Sequence, residues 1–347
     1  MKHDLQNPWR GRGLEGAEHF PLADARDVAA LLQSCPAHAP TALRDVPELA
    51  AKLGVARLWL KDERARMGLG SFKALGAAHA IAREAAHTGA ADLRRALKGR
   101  VYVAASAGNH GLSVAAGARL FGARALIYLA RTVPEAFADR LAAKGAEVVR
   151  AGADYEASMQ AAEAAAQENG WTLLSDSSWP GYTDLPLRVM EGYLQLAAEA
   201  VAQIDAPPSH ILLQAGVGGL AAAVAAHARL VWGDGPQIIV VEPDAAPALI
   251  ESIRAGRVID TSGPASCMGR LDCKTPSMIA LNGLARDADV FVTISEAEAL
   301  RGADWLAEHG LPTTPSGAAG VAALLAGLEL PREARVLAIL SEGPEDG

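Results

Sequence analysis

Residues 100–111, RVYVAASAGNHG, decide how this chain folds. A short apolar run, Arg100-Val-Tyr-Val-Ala-Ala, breaks into Ser-Ala-Gly-Asn-His-Gly, and an alanine-rich helical stretch from Leu112 to Phe121 follows. A short buried strand, a polar glycine turn and a helix make the repeating unit of parallel-sheet proteins. Outward from this stretch the unit recurs. Ala125–Leu129 is a second strand, Pro134 opens a helix that Gly145 closes, Glu147–Arg150 is a third strand, and a helix over 155–168 leads to Thr172-Leu-Leu. Parallel neighbours need a crossover connection, so this alternation predicts an α/β fold with helices on both faces of the sheet.

A second series lies further along. His210-Ile-Leu-Leu is a strand, Gln-Ala-Gly-Val-Gly-Gly a loop, Leu220–Leu230 a helix and Gln237–Val241 another strand. Residues 290–294 and 335–340 add strands, with a small-residue helix over 317–328 between them. Two α/β modules follow, with a cleft between them as the expected ligand site. Residues 1–30 and the C-terminal Pro-Glu-Asp-Gly are expected to be loosely ordered.

Composition narrows the function. The chain has 347 residues, 50% of them hydrophobic, enough for one large domain or two ordinary ones. Net charge is −8 with no basic stripe, which argues against nucleic acid as a partner. Cys35, Cys267 and Cys273 are too few and too scattered for a disulfide framework and lack the matching ligands of a zinc site, so no metal is expected. The first sixteen residues hold no apolar core of a secretory signal, and the most apolar window, 211–232, is short and glycine-interrupted. A cytoplasmic protein with no membrane contact is the expectation.

Three local features bear on chemistry. Gly216-Val217-Gly218-Gly219 follows a strand and opens a helix, where backbone N–H groups approach an anion such as phosphate. Its spacing is not that of a dinucleotide fingerprint, and alone it is equally a tight turn. Ser106-Ala107-Gly108-Asn109-His110 sits at a similar turn, suited to a carboxylate or simply a capped helix start. Lys73 lies in Gly-Ser-Phe-Lys-Ala-Leu-Gly, among small and apolar neighbours. Either it snorkels to the surface or its amine is wanted in a dry place, where burial lowers the pKa and frees the lone pair for a Schiff base. A cofactor carrying a phosphate and an aldehyde accounts for both the glycine loop and a desolvated amine.

With these pieces the chain resembles the fold-type II pyridoxal-phosphate enzymes, the tryptophan synthase β-like family, and within it the diaminopropionate ammonia-lyases. The resemblance runs from Pro40-Thr-Ala-Leu to Ser341-Glu-Gly, through Trp59-Leu-Lys-Asp-Glu, Gly70-Ser-Phe-Lys-Ala-Leu-Gly, Gly108-Asn-His-Gly, Asp176-Ser-Ser-Trp-Pro-Gly-Tyr, Gln214-Ala-Gly-Val-Gly-Gly-Leu and Gly269-Arg-Leu-Asp-Cys. It implies a large cofactor domain, residues 1–66 with 176–347, a small α/β domain, 67–175, and an active site between them. It implies pyridoxal 5'-phosphate joined to Lys73, the phosphate on Gly216, Val217, Gly218 and Gly219, Asn109 at the ring hydroxyl and Ser341 at the pyridine nitrogen. Ser106, Gly108 and His110 would hold the carboxylate of a small amino acid. The implied reaction is β-elimination, with Lys73 as base and Asp176 holding the leaving ammonium; a cap on the turn near Ser177 and Ser178 is the other reading of Asp176. Family members are usually homodimers.

One position departs from that pattern. The ammonia-lyases typically carry aspartate before Gly-Asn-His-Gly, where this chain has Ala107, as serine/threonine dehydratases do. The change predicts poor action on a D-substrate and keeps serine, threonine and 3-hydroxyaspartate open beside L-2,3-diaminopropionate. A non-catalytic binding module or a nicotinamide oxidoreductase is the alternative from other classes; neither calls for a buried lysine. Glu242, Asp272 and Cys273 are further residues placed near the site.

Overall fold

The computed structural model of the chain describes residues 4–33, 35 and 37–344. The chain begins with β1 (Asp4–Gln6), α1 (Arg26–Leu32), β2 (Leu43–Asp45), α2 (Pro47–Lys52), β3 (Arg57–Asp62) and α3 (Lys73–His87). It continues through β4 (Val101–Ala105), α4 (Asn109–Leu120), β5 (Arg124–Leu129), α5 (Glu135–Ala143), β6 (Glu147–Arg150), α6 (Tyr155–Asn169), β7 (Thr172–Leu173) and α7 (Asp184–Gln203). The last part is β8 (His210–Gln214), α8 (Gly219–Trp232), β9 (Gln237–Pro243), α9 (Ala248–Ala255), α10 (Met278–Asp287), β10 (Val290–Ile294), α11 (Glu296–Glu308), α12 (Pro315–Leu325) and β11 (Arg335–Leu340).

Two sheets form. One is seven-stranded, in the order β1-β10-β9-β8-β11-β3-β2; the other is four-stranded, β6-β5-β4-β7. All neighbours pair in parallel except the two edge strands β1 and β2. Both faces of both sheets are covered, which is why the strands read as unbroken apolar runs. In β4, Tyr102 and Ala104 point into the core under α3 and α4, while Val101, Val103 and Ala105 pack under α6. In β11, Leu337 and Ile339 face α7 and α8, while Val336, Ala338 and Leu340 face α11 and α12.

The core of one sheet runs into that of the other through α3 and α7. Their close crossing depends on glycine. A Cβ on Gly192 would sit 2.3 Å from the Leu75 carbonyl oxygen, and one on Gly76 would sit 2.5 Å from the Tyr193 ring. The last glycine of Gly-Ser-Phe-Lys-Ala-Leu-Gly is therefore a packing residue.

The expectation for residues 1–30 is corrected over the part described. β1 pairs with β10, and the Asn7 side-chain amide donates to the carbonyls of Ala285 (2.9 Å) and Ala288 (2.6 Å) at the end of α10. The Trp9 indole donates to the Ile253 carbonyl at 2.8 Å. These side chains satisfy carbonyls that the ends of α9 and α10 leave open, and that ties the segment down. Of the final Pro-Glu-Asp-Gly, residues 345–347 lie outside the described residues. No helix among the described residues is long and apolar enough to cross a membrane.

Candidate active site

The loops that follow β4, β7, β8 and β11 carry Ser106–His110, Asp176, Gly216–Gly219 and Ser341. All lie at carboxyl ends of parallel strands, where α/β sheets open their ligand crevices. Lys73, the first residue of α3, joins them from another direction. The chain reaches it through a tight turn in which Met67 adopts φ 51°, a conformation uncommon for a side-chain-bearing residue. Arg66 anchors that turn with buried ion pairs to Glu63 (2.7 Å) and Glu199 (2.7 Å).

The Lys73 ammonium pairs with the Asp176 carboxylate. It lies 5.4 Å from the centre of the Phe72 ring and 5.9 Å from that of Tyr193, which meet edge to face. Burial pulls the Lys73 pKa down, but the Asp176 charge outweighs it and leaves the amine raised above the ordinary value. The expectation of a lowered pKa is corrected, because a carboxylate sits against the ammonium. Asp176 is held below the usual carboxylate range by the same pair, against its own burial. The turn-cap reading of Asp176 meets other residues instead: Ser177 N–H donates to Ser175 Oγ at 3.2 Å and Ser178 N–H to Ser277 Oγ at 3.1 Å.

The glycine turn is crowded on its outer side. A Cβ on Gly216 would stand 3.0 Å from both Cys273 Sγ and Leu271 Cα, and Gly218 adopts φ 98°. Backbone therefore faces the space in front of the α8 N-terminus. Tyr193 connects this turn with Lys73, since a Cβ on Gly219 would lie 3.6 Å from the Tyr193 ring. Cys273 lines the same space, and burial pushes its thiol pKa up to about 12.

At the Ser106–His110 turn, Ser106 Oγ accepts from the N–H groups of Gly108 (3.2 Å) and Gly111 (3.1 Å), the second closing the first turn of α4. His110 Nε2 donates to the Leu174 carbonyl at 2.8 Å, which leaves buried Nδ1 as an acceptor. Burial lowers its pKa, so the ring is neutral. Asn109 donates one N–H of its amide to Glu342. Ser341 is 4% exposed, and its carbonyl accepts from Phe72 N–H at 3.0 Å, next to Lys73.

Other placements differ from expectation. Glu242 caps α9, accepting from Leu249 N–H and Ile250 N–H at 2.7 Å each; burial raises its pKa to about 8. Asp272 is spent on Lys274 (2.6 Å) and Ser266 N–H (3.1 Å) in its own loop. Sequence reasoning assigned no role to Tyr193, Glu342 or Arg270. The glycines at 76 and 219 signal an aromatic neighbour only once the helices are placed.

A buried amine, a glycine turn at a helix N-terminus and an amide donor around one space suit a phosphorylated aldehyde with a ring hydroxyl. The profile of the family described as pyridoxal-phosphate dependent enzyme matches residues 35–342. Diaminopropionate ammonia-lyase of Escherichia coli (strain K12) is 31% identical over 94% of this chain and 90% of its own length. The L-serine dehydratase/L-threonine deaminase of Mus musculus is 33% identical over 64% of this chain and 62% of its own. The crystal structure of the Escherichia coli diaminopropionate ammonia lyase in complex with D-serine superposes with a TM-score of 0.90 at 29% identity, covering 99% of this chain and 94% of that one. The chain therefore belongs to the pyridoxal-phosphate dependent enzymes of fold type II, and its cofactor is pyridoxal 5'-phosphate.

Proposed function

We propose that this lyase removes the β-amino group of L-2,3-diaminopropionate, giving pyruvate and two molecules of ammonia after hydrolysis of the enamine product. The observation that carries the reading is the Lys73–Asp176 pair, enclosed by aromatic rings beside a glycine turn. The bound cofactor supplies an electron-poor ring that stabilises negative charge at the substrate Cα. Gly216, Val217, Gly218 and Gly219 hold its phosphate with backbone N–H groups and the dipole of α8. Asn109 offers the ring hydroxyl the amide N–H that Glu342 does not take. Ser341 faces the pyridine nitrogen with a neutral hydroxyl.

Lys73 is the amine that would hold the cofactor's aldehyde carbon, and its nitrogen would take the Cα proton of the substrate. With Lys73 committed to the cofactor, Asp176 would be left to face the β-ammonium of the substrate. That keeps the leaving group protonated, as expulsion of ammonia requires. The substrate carboxylate sits at the Ser106–Gly108–His110 turn, against the first amides of α4. Tyr193 and Phe72 cover part of the amine's surroundings with apolar ring surface. The site lies between a large domain, residues 1–66 with 176–347, and a small one, 67–175. We place the enzyme in the cytoplasm as a homodimer, in keeping with three unpaired thiols and with family habit.

The second reading is a serine/threonine or 3-hydroxyaspartate dehydratase, favoured by Ala107 and by the likeness to the mouse dehydratase. Release of pyruvate or 2-oxobutyrate is to be measured with L- and D-diaminopropionate, serine, threonine and 3-hydroxyaspartate. The fastest turnover is expected with L-diaminopropionate. Turnover confined to the hydroxyamino acids selects the second reading, and equal rates on the D- and L-diamines contradict the inference drawn from Ala107.

A further inference from the structure

The turn proposed to receive the substrate carboxylate has no charged side chain of its own to offer it. Ser106 Oγ closes the first turn of α4, and His110 Nε2 is bound to the Leu174 carbonyl. What the turn itself presents is backbone N–H at a helix start and the neutral Ser106 O–H, with partial rather than full positive charge. A carboxylate held away from bulk water is most firmly bound by a donor that is itself charged.

Arg270 reaches this turn from the loop between α9 and α10. One terminal nitrogen of its guanidinium is 3.3 Å from the Ala107 carbonyl oxygen, and 3.3 Å from where a Cβ on Gly108 would be. Gly108 is thus the position at which a side chain would push the guanidinium away. The Arg270 backbone is fixed: its N–H donates to Ser316 Oγ at 3.1 Å, and its carbonyl oxygen would lie 3.2 Å from a Cβ on Gly216. Glu342, 3.8 Å from Arg270 Nε, orients the fork and also accepts from the Asn109 amide. The side chain stays 29% exposed although Glu342 and Ser316 beside it are buried. One residue therefore has its backbone against the phosphate turn and its charge over the carboxylate turn.

We infer that Arg270 is the cation that binds the α-carboxylate of the amino-acid substrate, completing the turn at Ser106–His110. The inference rests on the proposed placement of the substrate carboxylate at that turn, and not on which β-substituent leaves. Its guanidinium supplies a charged, forked donor that matches a carboxylate, which an ammonium at the same place does only in part.

The test uses the holoenzyme and follows the shift of the cofactor absorption band on titration with L-alanine, which has no leaving group, and with L-alaninamide, which has no carboxylate. Arg270→Met is expected to raise the Kd for L-alanine about tenfold to a hundredfold and to leave that for L-alaninamide close to wild type. Arg270→Lys should fall between the two, and both variants should keep the unliganded band. Equal losses for acid and amide would assign Arg270 a structural role and overturn the inference, as would no loss with either ligand. Because alanine cannot eliminate, failure of the diaminopropionate assay leaves this result intact.

Discussion

Two lysines twelve positions apart are both removed from bulk solvent, and they are held in opposite ways. Lys61, on β3, is fully buried and donates to Glu199 (2.7 Å), the Thr41 carbonyl (2.8 Å) and Gln203 (3.0 Å), so each ammonium N–H has an acceptor. Burial lowers its pKa, with Glu199 opposing. It belongs to a neutral quartet with Glu63, Arg66 and Glu199 that ties β3 to α7 and anchors the turn leading to position 73. Lys73 has one carboxylate and two aromatic faces, and its side chain is 19% exposed to the cleft. A lysine with its hydrogen bonds complete has nothing left to offer a ligand. One held by a single partner is able to change partners, and that separates a structural ammonium from a reactive one.

The contrast is tested most severely by Lys73→Ala. It should lower elimination by about 10⁴-fold and abolish the absorption band of the lysine-linked cofactor, whereas Lys61→Met should keep the band and most of the turnover. A band that survives Lys73→Ala would erase the distinction. Next in size, Glu199→Gln leaves Lys61 and Arg66 without their shared charge and should cost about 3–5 kcal/mol in urea unfolding, with turnover per folded molecule nearly unchanged. A stable variant with impaired turnover would instead make the quartet part of the chemistry.

Asp176→Asn should reverse that pattern, lowering kcat by about 10²-fold to 10³-fold while the unfolding midpoint moves little, because the partly exposed Lys73 can shed its proton when its partner is gone. The smallest effect is on pH. The guanidinium of Arg66 and the ammonium of Lys61 outweigh burial and hold Glu199 at about 2, against an ordinary 4.5. The unfolded chain therefore takes up this proton first. The contribution is complete above pH about 4.5 and is lost as pH falls toward 2, and Glu199→Gln should flatten that part of the stability profile. An unchanged acid limb would mean that other carboxylates, such as Asp62, dominate it.

Much of the fold was legible because parallel strands buried on both faces cannot hide their composition. Arg100–Ala105, Ala125–Leu129, Glu147–Arg150 and His210–Leu213 fall on β4, β5, β6 and β8 within a residue or two. Helix ends were less legible: α4 starts at Asn109, not Leu112, since the glycine-rich turn is itself its first turn. The sequence pattern marks none of β1, α1, β2, α2, β3, α3, α7, α9, α10 and α11. Helices α3 and α7 are rich in residues that pack against other helices, and β1 is three residues whose only strand signal is its partner β10. At the site, the amine and the glycine turn stand out by residue type, while Arg270 and Glu342 look like ordinary surface charges.

Sequence alone determined the alternation of strands and helices, the glycine turns and the lysine set among small and apolar residues at position 73. Each of these is a property of a few neighbouring residues, set by side-chain period and backbone freedom. Tertiary structure decided which charges meet. Lys73 and Asp176 stand 103 positions apart, and Arg270 reaches a carbonyl 163 positions away. The pKa shifts of Lys73 and Asp176, and the position of Arg270, follow from partners that only the packing of α3, α7 and the strand-end loops brings within reach.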